Sequence, residues 1–286
     1  MIIPSHLQIE TISGVCTSRC IMCVIDFEKV NILGIDKLKI ILNKFEPYKK
    51  DIKYVSFIGQ GETLLDKQII EKIGLTKNMG FKGIGFSTNC TELNEKISIS
   101  LIKAGLDTII CSIDGLTKKT HESIRIGTNF ENIILNVKNF IKIRNDLHLS
   151  TKIIIRFIYQ NANKHEWEEF KKYWLSLLNR DLGDDVIKVD VHNYGGNLEN
   201  FDKFSIKSSI PIQNRTCKNI FERIIILSTG NIIFCCGDIG QFPKIGNVFN
   251  DDPIEVYNNE LYTKYRKYMI EGKILELENC KNCTII

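Results

Sequence analysis

Cys16-Thr17-Ser18-Arg19-Cys20-Ile21-Met22-Cys23 is a C-x3-C-x2-C run placed directly after the first predicted strand, residues 7–12. Three thiolates on one short loop can bind three irons of a cubane cluster. The fourth iron is then left open to chelate a small molecule. Zinc is the competing reading, but a zinc site wants a fourth ligand nearby, and His6 sits on the strand rather than on the loop.

Outward from this loop the chain repeats a short β-branched or apolar run, a turn and an amphipathic stretch. Strands are predicted at 7–12, 54–58, 83–87, 108–113, 151–158 and 186–191. Helical stretches are predicted from Asp36, Leu65, Leu93, Asn129 and Lys164 onward. Strands joined by helical crossovers pair in parallel, so the six units predict a partial (β/α)6 TIM-like barrel in an α/β fold. Thr91, Asn129 and Asn163 are the expected N-caps. Asp36 follows Gly34 at the start of a helix that runs into Pro47. After about residue 205 the rhythm changes. Residues 224–227 and 232–234 flank Ser228-Thr229-Gly230-Asn231 as a β-hairpin, and a helix is expected near 260–271. The expected division is a barrel over 1–205 and a small hairpin-plus-helix cluster-binding domain over 206–286, too small to hold much core without a metal.

Composition narrows the function class. Of 286 residues, 43% are hydrophobic and 25% charged, with 38 basic against 34 acidic side chains, so the chain is globular and carries no footprint for nucleic acid or an anionic membrane. Its apolar runs are far shorter than the roughly 18 residues that span a bilayer. The start Met1-Ile2-Ile3-Pro4-Ser5-His6 lacks the pattern of a signal peptide. The expectation is a cytoplasmic protein, in which ten cysteines argue for metal or catalytic thiols rather than disulfides.

Three further motifs lie at strand C-termini, the face where barrel enzymes place their chemistry. They are Gly59-Gln60-Gly61-Glu62-Thr63, Ser87-Thr88-Asn89 and Ser112-Ile113-Asp114-Gly115. With the cysteine loop, they resemble the radical S-adenosylmethionine (SAM) enzymes. The resemblance implies a [4Fe–4S] cluster on Cys16, Cys20 and Cys23 whose open iron binds SAM. It assigns Gly61 and Glu62 to the methionyl ammonium, with Thr63 and Gln60 departing from the usual proline and glycine. It also brings Met22 near the adenine, and Ser87, Thr88, Asn89, Ser112, Asp114 and Arg125 to the rest of SAM. Arg156, inside an apolar strand, needs a partner and is a candidate for the SAM carboxylate or the substrate.

The second cysteine set is Cys217, twelve residues, Gly230, four residues, Cys235, then 44 residues and Cys280-Lys281-Asn282-Cys283. Four thiols in two pairs across a hairpin make a closed site for iron–sulfur or zinc. The spacing resembles the twitch domain, a shortened SPASM extension of some radical SAM enzymes, and implies one auxiliary [4Fe–4S] cluster. Cys90, Cys111 and Cys236 remain over. A buried inert thiol is the default for each, and Cys236 is the best placed to face substrate.

The resemblance implies a 5′-deoxyadenosyl radical that abstracts hydrogen from substrate, with a reducing flavodoxin or ferredoxin as partner. The cysteine layout looks most like that of the aminocyclitol alcohol dehydrogenases and their sugar-modifying relatives. With no peptide-recognition module before the barrel, a small polar substrate and a two-electron oxidation are expected. Epimerisation, dehydration and peptide maturation are the alternatives within the enzyme class, and an iron–sulfur electron carrier the alternative outside it. His192 and Tyr194, after the sixth strand, are candidates to act on a substrate hydroxyl. Glu222 and Arg223 lie between cysteines of the second set.

Overall fold

The computed structural model describes residues 1–206, 216–237, 245–278 and 280–284. The β-branched and aromatic runs form β1 (His6–Ile9), β2 (Tyr54–Phe57), β3 (Ile84–Thr88), β4 (Thr108–Ser112), β5 (Lys152–Tyr159) and β6 (Asp185–Asp190). Each is parallel to the next, as the intervening helices require. These helices are α1 (Ile35–Phe45), α2 (Ile69–Asn78), α3 (Glu95–Lys103), α4 (Lys118–Ile124), α5 (Phe130–Asp146) and α6 (Trp167–Leu175).

Strand alternation divides the sheet into two chemically different faces. Leu7, Ile9, Val55, Phe57, Ile84, Phe86, Ile109, Cys111, Ile153, Ile155 and Phe157 are buried in one core with the helices. That core takes Leu38, Ile41, Leu42 and Phe45 from α1. Truncating one of these phenylalanines to alanine costs about 3–5 kcal/mol, through lost burial and the cavity left behind. The alternate positions His6, Gln8, Ser56, Ser87, Ser112 and Arg156 are polar, and they line the face turned away from the helices.

Several boundaries differ from expectation for local reasons. The first strand stops at Ile9. Ile12–Ser13 instead pairs with Asn31–Ile32 in a small antiparallel ladder. The third crossover helix is capped by Asn94, which accepts from Ile97 N–H, and not by Thr91, whose own N–H is taken by Asn89 Oδ1. Asn129 caps α5 as expected. Asn163 does not cap. It starts a 3-10 turn, and its carboxamide bonds Gln160 N–H and the carbonyls of Asp114 and Ile158. Residues 63–65 form a separate 3-10 turn, so α2 begins at Ile69 rather than Leu65. α4 was not anticipated. Thr117 caps it by accepting from Thr120 N–H.

The hairpin forms as β7 (Arg223–Ile226) and β8 (Asn231–Ile233), with Gly230 at φ +85° in the turn. A Cβ there would lie 2.3 Å from the Phe249 ring, so backbone angle and close packing both select glycine. β7 pairs in parallel with β1, and β9 (Gly246–Asn247) extends the hairpin. Among the described residues the nine strands therefore make one sheet, in the order β6-β5-β4-β3-β2-β1-β7-β8-β9. α7 (Glu260–Ile270) packs Tyr262, Tyr265 and Met269 into the same core. No helix among the described residues is long and apolar enough to cross a membrane.

Candidate active site

The first cysteine loop is fixed by three neighbours. On one side, residues 12–15 and 59–62 exchange backbone hydrogen bonds, Gly14 N–H to Gln60 and Glu62 N–H to Val15, both at 2.8 Å. Gly61 permits that approach, since a Cβ would sit 2.7 Å from the Ile12 carbonyl oxygen. On the other side, Arg19–Cys20 pairs antiparallel with Arg125–Ile126, which sets Arg125 opposite Cys20. Inside the loop, the Ser18 hydroxyl lies 3.4 Å from Cys16 Sγ and 3.3 Å from Cys20 Sγ, within reach of both thiols. The third neighbour is Asn89, whose Nδ2 donates to Thr17 Oγ1 at 2.8 Å and approaches Cys16 Sγ at 3.7 Å.

Arg125 is buried. One guanidinium nitrogen is 3.5 Å from Cys20 Sγ, and another is 2.8 Å from Asp114 Oδ2. Asp114 in turn accepts from Ile158 N–H at 2.7 Å. Arg125 beside Cys20 and the Asn89 carboxamide beside Cys16 are donors suited to anionic sulfur ligands, while burial raises the Cys23 pKa to about 11. The donor set fits a cluster. Among the described residues no three Cys, His, Asp or Glu side chains converge on a point that a single ion could share.

Glu62 is 4% exposed, and its carboxylate is already engaged by protein, accepting from Leu64 N–H at 3.1 Å and Asn89 N–H at 2.8 Å. Burial pushes its pKa up, while hydrogen bonds from Asn89, Thr88 and Leu64 oppose that shift. The side chain thus ties the β2 loop to the β3 loop. Thr88 also turns inward, its hydroxyl accepting from Cys90 N–H at 2.9 Å.

Arg156 of β5 is half-buried on the polar face. It donates from one nitrogen to Ser87 Oγ and Ser112 Oγ, each at 2.7 Å, and its Nε has no partner. His192 and Tyr194 stand beside it, with ring centroids 4.0 Å apart. Burial, reinforced by the Arg156 charge, lowers the His192 pKa to about 4, so the imidazole is neutral at pH 7, with Nδ1 unpartnered. Tyr194 is pushed well above the usual phenol range by burial and, next, by Cys23. Cys20 and Cys236 act on it in the same direction, so the ring lies within electrostatic reach of both cysteine sets. Met22 packs with Ile124, Val191, Leu198 and Phe201 in a small second core that joins the first loop to the chain after β6.

The second set assembles from three segments. Cys217 precedes the turn into β7, Cys235 and Cys236 follow β8, and Cys280 and Cys283 close a turn through a 3.0 Å backbone bond. Burial raises Cys280 to about 12, helped by Cys283 and Cys217. Cys235 is raised by burial and then by Cys236, Cys280 and Cys283. The four thiols thus lie within electrostatic reach of one another. Cys236 lies beside them, 3.7 Å from Asn219 Nδ2, with Arg223 lowering its pKa against the larger effect of burial. Arg223 itself donates to Gln8 Oε1. Cys90 and Cys111 are fully buried next to each other, Cys111 on the helix-packed face.

Two residues that sequence reasoning missed shape this region. His121 accepts from Asp114 N–H through Nδ1 at 3.3 Å. Asn193 holds the turn after β6 against the chain beyond Cys280. Neither belongs to a spaced motif, because each acts through contacts that only the fold creates.

The sequence pattern of the Radical SAM superfamily matches residues 11–173, and that of the SPASM iron–sulfur cluster-binding domain matches residues 217–284. The chain is 24% identical over 245 residues to a probable GTP 3′,8-cyclase of Saccharolobus islandicus, covering 79% of this chain and 76% of the relative. The structure of BtrN in complex with AdoMet and 2-DOIA matches with a TM-score of 0.66 at 19% identity, over 99% of this chain and 94% of that one. SuiB of Streptococcus suis bound to precursor peptide SuiA matches with a TM-score of 0.73 at 16% identity, over all of this chain and 70% of that one.

Proposed function

The chain belongs to the radical SAM superfamily, and from that premise we propose that it oxidises a small polar substrate, a sugar, cyclitol or similar polyol, by two electrons. The division into barrel and cluster-binding domain is proposed near residue 205. In this reading Cys16, Cys20 and Cys23 hold the SAM-binding [4Fe–4S] cluster, and Cys217, Cys235, Cys280 and Cys283 hold an auxiliary one. When bound, SAM and the first cluster supply a hydrogen-abstracting carbon radical, and the auxiliary cluster supplies an acceptor for the substrate's second electron.

The observation that carries the reading is the polar wall of Arg156, Ser87, Ser112 and His192, with Tyr194 packed against the His192 ring. In this reading the Arg156 guanidinium, held in place by the two serines, is the cation that meets a substrate oxygen. Neutral His192 takes the hydroxyl proton at Nδ1 as the carbinol carbon becomes a carbonyl. Tyr194 and Met22 close the wall against water. Gly61, Glu62, Thr88, Asn89, Asp114 and Arg125 shape the SAM end, with Glu62 and Asp114 acting through the loops and the arginine that they hold. Supporting this reading are the polar wall itself and the resemblance of the cysteine layout to that of the aminocyclitol alcohol dehydrogenases. The proposed electron donor is a flavodoxin or ferredoxin.

The position of Cys236 beside the second set favours a second reading, in which its thiol returns a hydrogen atom and the product is an epimer. The test is turnover of a panel of aminocyclitols, sugars and GTP by the anaerobically reconstituted protein, the last because it is the substrate named for the Saccharolobus relatives. Oxidation gives a product two mass units lighter, and Cys236→Ala retains turnover. An unchanged mass with one solvent-derived deuterium, lost in Cys236→Ala, would overturn oxidation in favour of epimerisation. A cyclised GTP would overturn the substrate class.

A further inference from the structure

We propose that Asn193 is a clasp across the open seam of the barrel, through which iron bound at Cys280 and Cys283 fixes the loop that carries His192 and Tyr194. The inference rests on the assignment of those two cysteines as auxiliary-site ligands.

The topology creates the need for such a clasp. β6 and β9 are opposite edges of the sheet, so the barrel is open between the chain leaving β6 and the segments that follow β7. The turn after β6 is also unfavourable by itself. Tyr194 has φ +50°, followed by Gly195 at +71° and Gly196 at +102°. A tyrosine in the left-handed region persists only where its surroundings over-determine it.

Asn193 provides that determination from both sides. It is 5% exposed. Its carbonyl accepts from the N–H groups of Gly196 at 3.0 Å, Asn197 at 2.8 Å and Leu198 at 3.0 Å, which closes the turn. Its N–H donates to Thr284 Oγ1 at 2.9 Å, its Oδ1 accepts from Thr284 N–H at 3.1 Å, and its Nδ2 donates to the Asn282 carbonyl at 2.5 Å. One residue thus closes the turn bearing Tyr194 and grips the two residues that flank Cys283. Cys280 packs on the main core, so the grip ties the substrate wall to that core. Asn193 is a positioning residue that acts through Tyr194 and His192, and the iron site gains a structural role beyond electron transfer.

Amide hydrogen exchange of the 191–198 segment, read by mass spectrometry on anaerobically reconstituted protein, tests the clasp. Four forms are compared: the unaltered protein, Thr284→Val, Thr284→Ser, and Cys280→Ala with Cys283→Ala. Thr284→Val removes the acceptor for Asn193 N–H and should speed exchange at residues 196–198 by roughly tenfold while leaving the iron content intact. Thr284→Ser restores a hydroxyl and should return exchange to the unaltered level. The cysteine pair should lose the auxiliary iron and show the same loss of protection, with α5 unchanged as the internal reference. In Thr284→Val the ratio of 5′-deoxyadenosine to product should rise, since hydrogen abstraction no longer meets a fixed substrate. Unchanged exchange in Thr284→Val overturns the clasp. Lost iron with unchanged exchange in the cysteine variant overturns the coupling but leaves the ligand assignment standing. Full iron in that variant overturns the ligand assignment, and the iron-dependent half of the proposal with it.

Discussion

The first cysteine set lies within a single eight-residue loop, whereas the second is drawn from three segments that meet only after β7 and β8 have joined the sheet. Ordering one short loop costs little closure entropy, and here the β2 loop, the β3 loop and Arg125 already hold it. The second set must bring distant segments together, so whatever it binds contributes directly to folding of the C-terminal region. The lesson is that two sites of similar donor chemistry should respond differently to damage. Loss at the first is expected to remove chemistry from an intact fold. Loss at the second is expected to remove both chemistry and structure.

The sharpest way to break this comparison is to empty each site in turn. Replacing Cys16, Cys20 and Cys23 together with alanine should abolish SAM cleavage and halve the bound iron from about eight atoms per chain, for two [4Fe–4S] clusters, with the thermal midpoint nearly unchanged. Replacing Cys217 should leave SAM cleavage measurable, as 5′-deoxyadenosine formation, and should abolish product while lowering the thermal midpoint. Equal destabilisation by the two changes would end the distinction.

A smaller effect sharpens the description of the first site. Asp114→Asn deprives buried Arg125 of its counter-charge, and breaking such a pair costs about 3–5 kcal/mol. Denaturant unfolding reads the loss directly. A change below about 1 kcal/mol would mean that Cys20 and its neighbours hold the guanidinium without the aspartate.

The smallest effect concerns pH. Burial, with Arg125 adding to it, lowers the His121 pKa from 6.5 to about 3. The folded protein keeps this ring neutral, while the unfolded chain protonates it below about pH 6.5. Its contribution is therefore complete above pH 6.5 and is lost as pH falls toward 3, at up to about 1.4 kcal/mol per pH unit. His121→Gln keeps an acceptor for Asp114 N–H and should flatten the acid limb of a stability–pH curve by about that slope between pH 6.5 and 5. An unchanged slope would show that the ring is solvated when protonated.

Much of this molecule could be read from its residues because the signals are local and periodic. Strand alternation and helical stripes gave the six βα units, and cysteine spacing marked both candidate sites, since ligand geometry constrains neighbours along the chain. Reading was weakest where a side chain has two possible partners. Thr91 and Asn163 have capping chemistry, yet Asn94 lies nearer the first helical turn, and Asn163 is drawn into contacts with Asp114 and Ile158. Glu62 carried the right charge for an ammonium, and nothing local showed that Asn89 and Leu64 would engage it first.

By itself, then, the sequence determined the parallel βα architecture and the hairpin at Gly230, because periodicity and turn chemistry act over short stretches of chain. Tertiary structure alone decided that β7 would extend the barrel sheet from β1, that Arg125 would stand opposite Cys20, and that Arg156 would be held between Ser87 and Ser112. It alone joined Asn193 to Thr284 across the seam. These are contacts between residues 44 to more than 200 positions apart. Their partners are chosen by which polar groups remain unsatisfied once the core has closed, a selection that no short stretch of sequence contains.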